Sequence, residues 1–138
     1  MKRKLLPKLA IWLLAVALVA GLGTAIGQQA PPSETKGMNA PVVASLDLGP
    51  EIDGMQGRQL RMRVLSLMPG GVIAVHSHKD RPAIVHLLQG KLTEYREGGF
   101  VRDHHEGESW AEGKDTTHWA ENKGMKPVVA VVVDILKP

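Results

Sequence analysis

Histidines are the residues of this 138-residue chain best suited to chemistry. All six lie between positions 76 and 118, and two of them form the pair His76-Ser77-His78. Side chains two positions apart on a β-strand point to the same face, so the pair would present two imidazoles side by side. Such a pair is a natural part of a metal site, but the remaining ligand must come from another strand.

Cysteine chemistry is excluded, because the chain has no cysteine. Thiolate metal sites and cysteine nucleophiles are therefore ruled out, and His, Asp and Glu must carry any metal or acid/base chemistry. No disulfide can support the fold in an oxidising compartment, so the fold must depend on its core or on a metal.

Two segments around these histidines resemble the two sequence motifs of the cupin family. The first consists of Gly70, five residues, His76-Ser77-His78 and then further residues ending at Gly90. The second keeps the family spacing in full, with Gly107, Gly113, Asp115, His118 and Asn122 at its fixed positions, although Gly113 and Asp115 replace the family's Pro and Gly. The resemblance covers residues 70 to 122, and it implies a jelly-roll β-barrel.

The resemblance also implies a metal site made of His76, His78 and His118. Cupins usually add a Glu seven residues before the closing Gly of the first motif, but this chain has Ala83 there. Three neutral imidazoles would suit a divalent transition metal (Fe, Zn, Mn, Ni or Cu) and leave positions open for water or substrate. Ala83 should lie beside them, with a gap where the family's carboxylate would reach.

Two functions of different classes agree with this set of residues. One is a metal-dependent enzyme acting on a small molecule, for example an oxygenase, although no general base or other catalytic residue is evident among the motif residues. The other is a non-catalytic binder of small molecules whose three histidines form a metal-free remnant of the site. The fold alone does not choose between them.

The other histidines and charged residues of the region are expected outside the site. His86 should face away from Ala83, on the surface or at an interface. His104 and His105 lie in a polar stretch that reads as a solvated turn, and Glu94 and Arg96 as a charged outer face.

Two further residues near the motifs are expected to be structural. Trp119 should point away from His118 and pack. Asn122 should bond a nearby turn through its amide.

Short apolar runs separated by turn residues at regular intervals predict an all-β, antiparallel fold over residues 40–138. Hairpin turns are expected near Gly70, Gly90, Gly98 and Gly113. In residues 60–64, Leu60, Met62 and Val64 alternate with two arginines, which predicts a strand with these apolar residues in the core and the arginines in solvent. The run of valines from 128 to 133 does not alternate and suggests a strand covered on both faces.

The N-terminus has the layout of a secretory signal, with four bases in the first eight residues, an uncharged apolar run over residues 9–27 and small residues at its end. We expect residues 1–27 to be a cleaved signal, or else an uncleaved membrane anchor in the form of an apolar helix. Residues 28–39 should be a flexible linker before the domain. The protein should therefore be exported to the periplasm, or be held at the inner membrane by the uncleaved segment.

Removing the signal leaves thirteen bases against fourteen acids, so the net positive charge of the full chain comes from the bases of the predicted signal. Without a basic stripe, we expect no nucleic-acid partner. The expected partners are a small-molecule substrate or ligand and a second copy of the chain in a homodimer, which would cover faces and edges that a small barrel leaves open.

Overall fold

The computed structural model describes residues 30–138, so the predicted signal, its cleavage site and the apolar helix lie outside the described residues. The described part is all-β, as predicted. Its strands are β1 (Lys36–Asn39), β2 (Val42–Asp47), β3 (Gln59–Ser77), β4 (Ala83–Gln89), β5 (Lys91–Arg96), β6 (Phe100–His105), β7 (Ser109–Glu112), β8 (Thr117–Glu121) and β9 (Val128–Leu136). Within residues 30–138, no helix is long and apolar enough to cross a bilayer.

The strands form one antiparallel sheet that curls into a half-barrel, in the order β6-β5-β8-β3-β9-β4-β7, with β1 and β2 also paired to β3. The sheet begins earlier than predicted, because β1 lies inside the segment expected to be a flexible linker. Its residues pair with β3, and just before it the Thr35 hydroxyl accepts a hydrogen bond from the Ala74 amide. Without β1, this edge of β3 would leave backbone N–H and C=O groups without hydrogen-bond partners. The chain before residue 40 supplies those partners.

Strand β3 holds the sheet together by changing partners along its length. Residues 59–67 pair with β9, whereas residues 72–77 pair with β8. Glycine is needed between the two halves: Gly70 has a φ of 73°, and a Cβ on Gly71 would lie 2.8 Å from the Met68 carbonyl oxygen. The hairpin predicted near Gly70 is therefore wrong, because the chain bends there and continues as the same strand.

Of the other three predicted hairpin turns, only the one at Gly98 is confirmed. It joins β5 to β6, which pair with each other through a short 3₁₀ turn at residues 97–99. Gly90 joins β4 to β5 and Gly113 lies between β7 and β8, and neither pair of strands is hydrogen-bonded. The turn residues were recognised, but these two connections cross between different parts of the sheet.

The core lies on the concave side of the sheet and includes Leu65 and Leu67 of β3, Val85 and Leu87 of β4, and Val128 and Val132 of β9. This placement reverses the predicted orientation at the start of β3. Arg61 and Arg63 are on the inner face with Leu65, whereas Met62 is 37% exposed on the outer face. The reason is a fully buried carboxylate, Asp134 of β9, which pairs in register with Arg61 and neutralises part of the arginine charge.

Strand β9 also differs from its predicted environment. Buried and half-buried residues alternate along it from Val128 to Asp134, so only one face is fully covered in the single chain. The apolar side chains of the other face remain partly exposed.

Candidate metal centre

The three histidines singled out in the sequence meet at one point on the concave side of the sheet. His76 and His78 lie at the end of β3 and immediately after it, and His118 lies on β8, where its backbone pairs with that of His76. Their Nε2 atoms form a triangle in which each separation is 3.1 Å. This separation lies within the roughly 3 to 3.5 Å expected for nitrogens that share one ion.

A hydrogen bond at the other ring nitrogen fixes the tautomer of each histidine. Nδ1 of His76 lies 2.8 Å from the Ala74 carbonyl oxygen, and Nδ1 of His78 lies 3.1 Å from that of Arg81. Carbonyl oxygens only accept hydrogen bonds, so both Nδ1 atoms carry the hydrogen. In the neutral ring, Nε2 is then a bare lone pair directed into the triangle.

The third histidine is held in the same way by a buried carboxylate. Nδ1 of His118 donates to Oε1 of Glu94 at 2.7 Å. Burial, the largest single influence, would raise the pKa of Glu94, but hydrogen bonds from His104, His118 and Arg96 together lower it well below its usual range. Glu94 is therefore ionised and accepts a hydrogen bond from Nδ1 of His118, so in the neutral ring the third Nε2 is a lone pair as well.

Burial also keeps His76 and His78 uncharged. It lowers the pKa of His76, and together with the nearby His118 it lowers the pKa of His78 to about 4. At neutral pH both rings are in the neutral form that binds metals. Three lone pairs 3.1 Å apart repel one another, and a cation between them would remove that repulsion. The donor set and its geometry therefore fit one transition-metal ion.

Several residues expected outside the site surround it instead. Glu94 is 1% exposed and His104 is 1% exposed, so the predicted outer face and solvated turn are wrong at these positions. Nε2 of His104 lies 2.9 Å from Oε2 of Glu94, and the His104 ring stacks on Trp110 at 3.7 Å. Neither residue has a sequence signal of its own, because burial here depends on the pairing of β5 with β6 and β8.

Other expectations for single residues are confirmed. His86 is exposed and its ring bonds the Ser109 hydroxyl. Trp119 is buried and stacks on Tyr95 at 3.8 Å. The Asn122 amide donates to the carbonyls of Leu67 and Lys126 and accepts from the Gly124 amide, which fixes the loop before β9.

Ala83 is buried, but the gap expected there is taken by a carboxylate from another strand, which adjoins the histidines. Glu112 of β7 pairs in register with Ala83 and is 6% exposed. One of its oxygens, Oε2, lies 3.0 Å from Nε2 of His78, and the other, Oε1, lies 3.7 Å from Nε2 of His118. The sequence prediction had missed this residue.

The histidines border a cavity of about 240 Å³ inside the half-barrel. Most of its wall is apolar, and its lining includes Leu65, Val85, Leu92, Ala120 and Val132. Two guanidinium groups, those of Arg63 and Arg81, also line it. The site therefore has a mostly apolar chamber of small-molecule size with polar groups at a few points.

Comparison with known proteins identifies the same family as the sequence motifs. Residues 63–134 match a family model described as a cupin domain. A search against curated proteins gave no match.

Solved structures that resemble the fold share little sequence with it. They include a conserved protein with a double-stranded β-helix domain from Klebsiella pneumoniae (21% identity, TM-score 0.59, covering 77% of this chain and 82% of that one). KdgF from Halomonas sp. matches at 20% identity and a TM-score of 0.55, covering 74% and 80%. The polyketide cyclase RemF from Streptomyces resistomycificus matches at 14% identity and a TM-score of 0.59, covering 75% and 68%.

Proposed function

This chain belongs to the cupin family, and on that premise we propose that His76, His78 and His118 bind one divalent transition-metal ion in an exported enzyme that acts on a small molecule. The observation that supports the proposal best is the triangle of Nε2 lone pairs, whose tautomers are set by hydrogen bonds to Ala74, Arg81 and Glu94. A bound ion would act there as a Lewis acid or an oxygen-activating centre.

The chain's own residues have defined roles in this proposal. Glu94 holds His118 in the correct tautomer and orientation. The apolar cavity wall excludes water from the reacting groups, which strengthens the electrostatic interactions within it. That a polyketide cyclase has the same fold supports a small-molecule reaction in such a chamber, although the reaction type is not specified by the fold.

Metal analysis tests the binding. Protein purified from the exported fraction, and protein reloaded with Zn²⁺ or Fe²⁺, should contain about one ion per chain. His76→Ala and His118→Ala should each lose most of that metal, since two imidazoles hold an ion poorly. His86→Ala, which removes an exposed histidine, is the matched control and should keep it. Failure of the wild-type protein to bind metal would favour the metal-free binder instead.

The cavity also supports a class of ligand, and we propose a small molecule that carries a carboxylate or a similar anion. Asp134 is bound by Arg61 through two hydrogen bonds, whereas Arg63 and Arg81 each give it one, at 3.1 and 3.5 Å. The buried Nε of Arg63 has no hydrogen-bond partner. Three guanidinium groups therefore share one carboxylate. Two of them, those of Arg63 and Arg81, line the cavity and have N–H groups that Asp134 does not accept from.

Matched ligands test this class. Small carboxylic acids should raise the thermal midpoint of the protein more than their primary amides do, because only the acid forms charge-assisted hydrogen bonds. Arg81→Gln should remove that preference, and Arg102→Gln, at an exposed position of β6, should keep it. Equal binding of acid and amide by the wild-type protein would contradict the proposed ligand class.

Export is tested at the N-terminus of the mature protein. We propose cleavage after Gly27, so the secreted form should begin at Gln28. Mass spectrometry of protein from the periplasmic fraction checks this. Detection of the full chain in the membrane fraction would indicate the uncleaved anchor, and detection only in the cytoplasm would contradict export.

A further inference from the structure

The carboxylate that is missing from position 83 has a counterpart on the neighbouring strand. Ala83 of β4 pairs in register with Glu112 of β7, and both residues are buried on the concave side of the sheet. We propose that Glu112 is the fourth protein ligand of the metal centre. This inference rests on the proposed metal binding at the three histidines and adds a residue that the family motifs do not contain.

The position of Glu112 agrees with this role. Oε2 lies 3.0 Å from Nε2 of His78, about the separation found between the histidine nitrogens themselves. Oε1 accepts a hydrogen bond from the Trp110 indole at 2.9 Å. The indole thus anchors one oxygen of Glu112, and the second oxygen is left beside His78.

The contact with His78 is unfavourable without a cation. Nδ1 of His78 donates its hydrogen to the Arg81 carbonyl, so in the neutral ring Nε2 has no hydrogen to offer a carboxylate. An ionised Glu112 would then present its oxygen to a lone pair at 3.0 Å. A divalent cation bound by both atoms would turn this repulsion into two favourable contacts.

The sheet register also explains why Ala occupies position 83. On its other side, Ala83 pairs with the buried Asp134 of β9. A glutamate at 83 would lie directly opposite Glu112, and like charges directly opposite one another in a sheet are destabilising, whereas the charge of Asp134 is already paired with arginines. A small residue at 83 leaves the space to Glu112.

Metal affinity and the spectrum of bound cobalt test the inference. Glu112→Gln keeps the size of the side chain and an oxygen for Trp110, but it removes the anionic ligand. Its affinity for Zn²⁺ is measured by competition with a chromogenic chelator. Losing a residue that only hydrogen-bonds a metal ligand lowers affinity roughly 10- to 100-fold, and losing a direct ligand should lower it at least as much. The visible absorption of bound Co²⁺, which reports directly bonded ligands, should also change. Glu106→Gln, an exposed position on the turn before β7, is the control and should match the wild type in both measurements.

A relocated carboxylate gives a second test that does not depend on the loss of a group. Ala83→Glu combined with Glu112→Ala keeps the number of buried carboxylates, and it should recover at least part of the lost affinity relative to Glu112→Ala alone. Wild-type Zn²⁺ affinity and an unchanged Co²⁺ spectrum in Glu112→Gln would overturn the role of Glu112 while leaving the histidine site intact. Absence of metal binding by the wild-type protein would overturn both.

Discussion

Hydrogen-bond acceptors around the histidines fix the orientation of their rings before a metal binds. Each of the three rings donates its Nδ1 hydrogen to an oxygen that cannot donate in return, so the lone pairs are directed inward before any ion arrives. Only one of these acceptors is a side chain, Glu94, and it also accepts hydrogen bonds from His104 and Arg96. Substitution can therefore test this orientation most directly at Glu94.

Glu94→Gln should weaken metal binding by about 10- to 100-fold, the usual effect of losing a carboxylate that orients a ligating histidine. It should also destabilise the metal-free protein, because the amide cannot accept from all three donors and removes a buried charge that they share. Chelator competition measures the first effect and denaturant unfolding in EDTA the second. Glu97→Gln, at an exposed neighbouring position, should change neither, and an unchanged Zn²⁺ affinity in Glu94→Gln would refute the orienting role.

Acid should destabilise the metal-free protein as His76 and His78 take up protons. Because burial lowers the pKa of His76, and lowers that of His78 from 6.5 to about 4, the unfolded chain binds more protons than the folded chain between these values. The free energy of unfolding should thus fall as the pH is lowered from about 6.5 to 4. Urea unfolding in EDTA across this range measures it. His78→Asn should flatten the dependence and exposed His86→Asn should not; an equal slope in all three proteins would contradict this account.

At the scale of the strands, the alternation of side chains at the start of β3 was predicted correctly. The face of the strand that points to the core was predicted wrongly. The pattern of residues 60–64 identifies a strand, and hydrophobicity alone places Leu60, Met62 and Val64 inside. The structure places the arginines inside because Asp134, seventy residues later, pairs with them from β9. A distant buried counter-charge of this kind is invisible in a local pattern.

The same limit explains which parts of the site were predictable. His76, His78 and His118 were identified by motif spacing, and their convergence is confirmed. Glu112 and Glu94 were missed because their importance depends on register across the sheet: Glu112 lies opposite Ala83, and Glu94 lies opposite Ala120 and Arg102. No spacing along the chain indicates these neighbours.

Asp134 should be essential to the stability of the half-barrel. Asp134→Asn leaves Arg61, Arg63 and Arg81 without their shared anion, and breaking a buried ion pair on one side typically costs about 3–5 kcal/mol. Asp103→Asn, which removes the charge of a partly exposed partner of Lys91, should cost less than about 1 kcal/mol. Chemical unfolding in EDTA compares them. Equal stability of the two variants would show that the arginine charges are screened by solvent.

At the scale of the whole molecule, the convex face of the sheet carries rows of partly exposed apolar side chains. One row runs across five strands in register, from Ala44 through Met62, Val133 and Ile84 to Ala111. Within it, Ile84 is 61% exposed and Met62 is 37% exposed. In the adjacent row, Val64 and Val131 are half-buried, and His86 and Ser109 are the polar residues.

We propose that a second copy of the chain covers this face. An exposed, mostly apolar surface of this width is typical of a protein-protein interface, and two identical faces of this kind are compatible by symmetry. Burial in a dimer would also account for the unbroken valine run of β9. That run suits a strand covered on both faces, whereas the single chain covers only one of them fully.

Ile84→Lys should therefore convert a dimer into a monomer, because it would place a charge in the centre of an apolar interface on both copies. Sedimentation velocity of residues 28–138 should show a dimer for the wild type at micromolar concentrations. Val101→Lys is the matched control: Val101 is similarly exposed, at 56%, but it lies on β6 at the far end of the sheet, so this variant should remain dimeric. The Zn²⁺ content should be the same in all three proteins, since the metal ligands point to the concave side. A monomeric wild type, or a dimer that tolerates Ile84→Lys, would contradict the proposed interface.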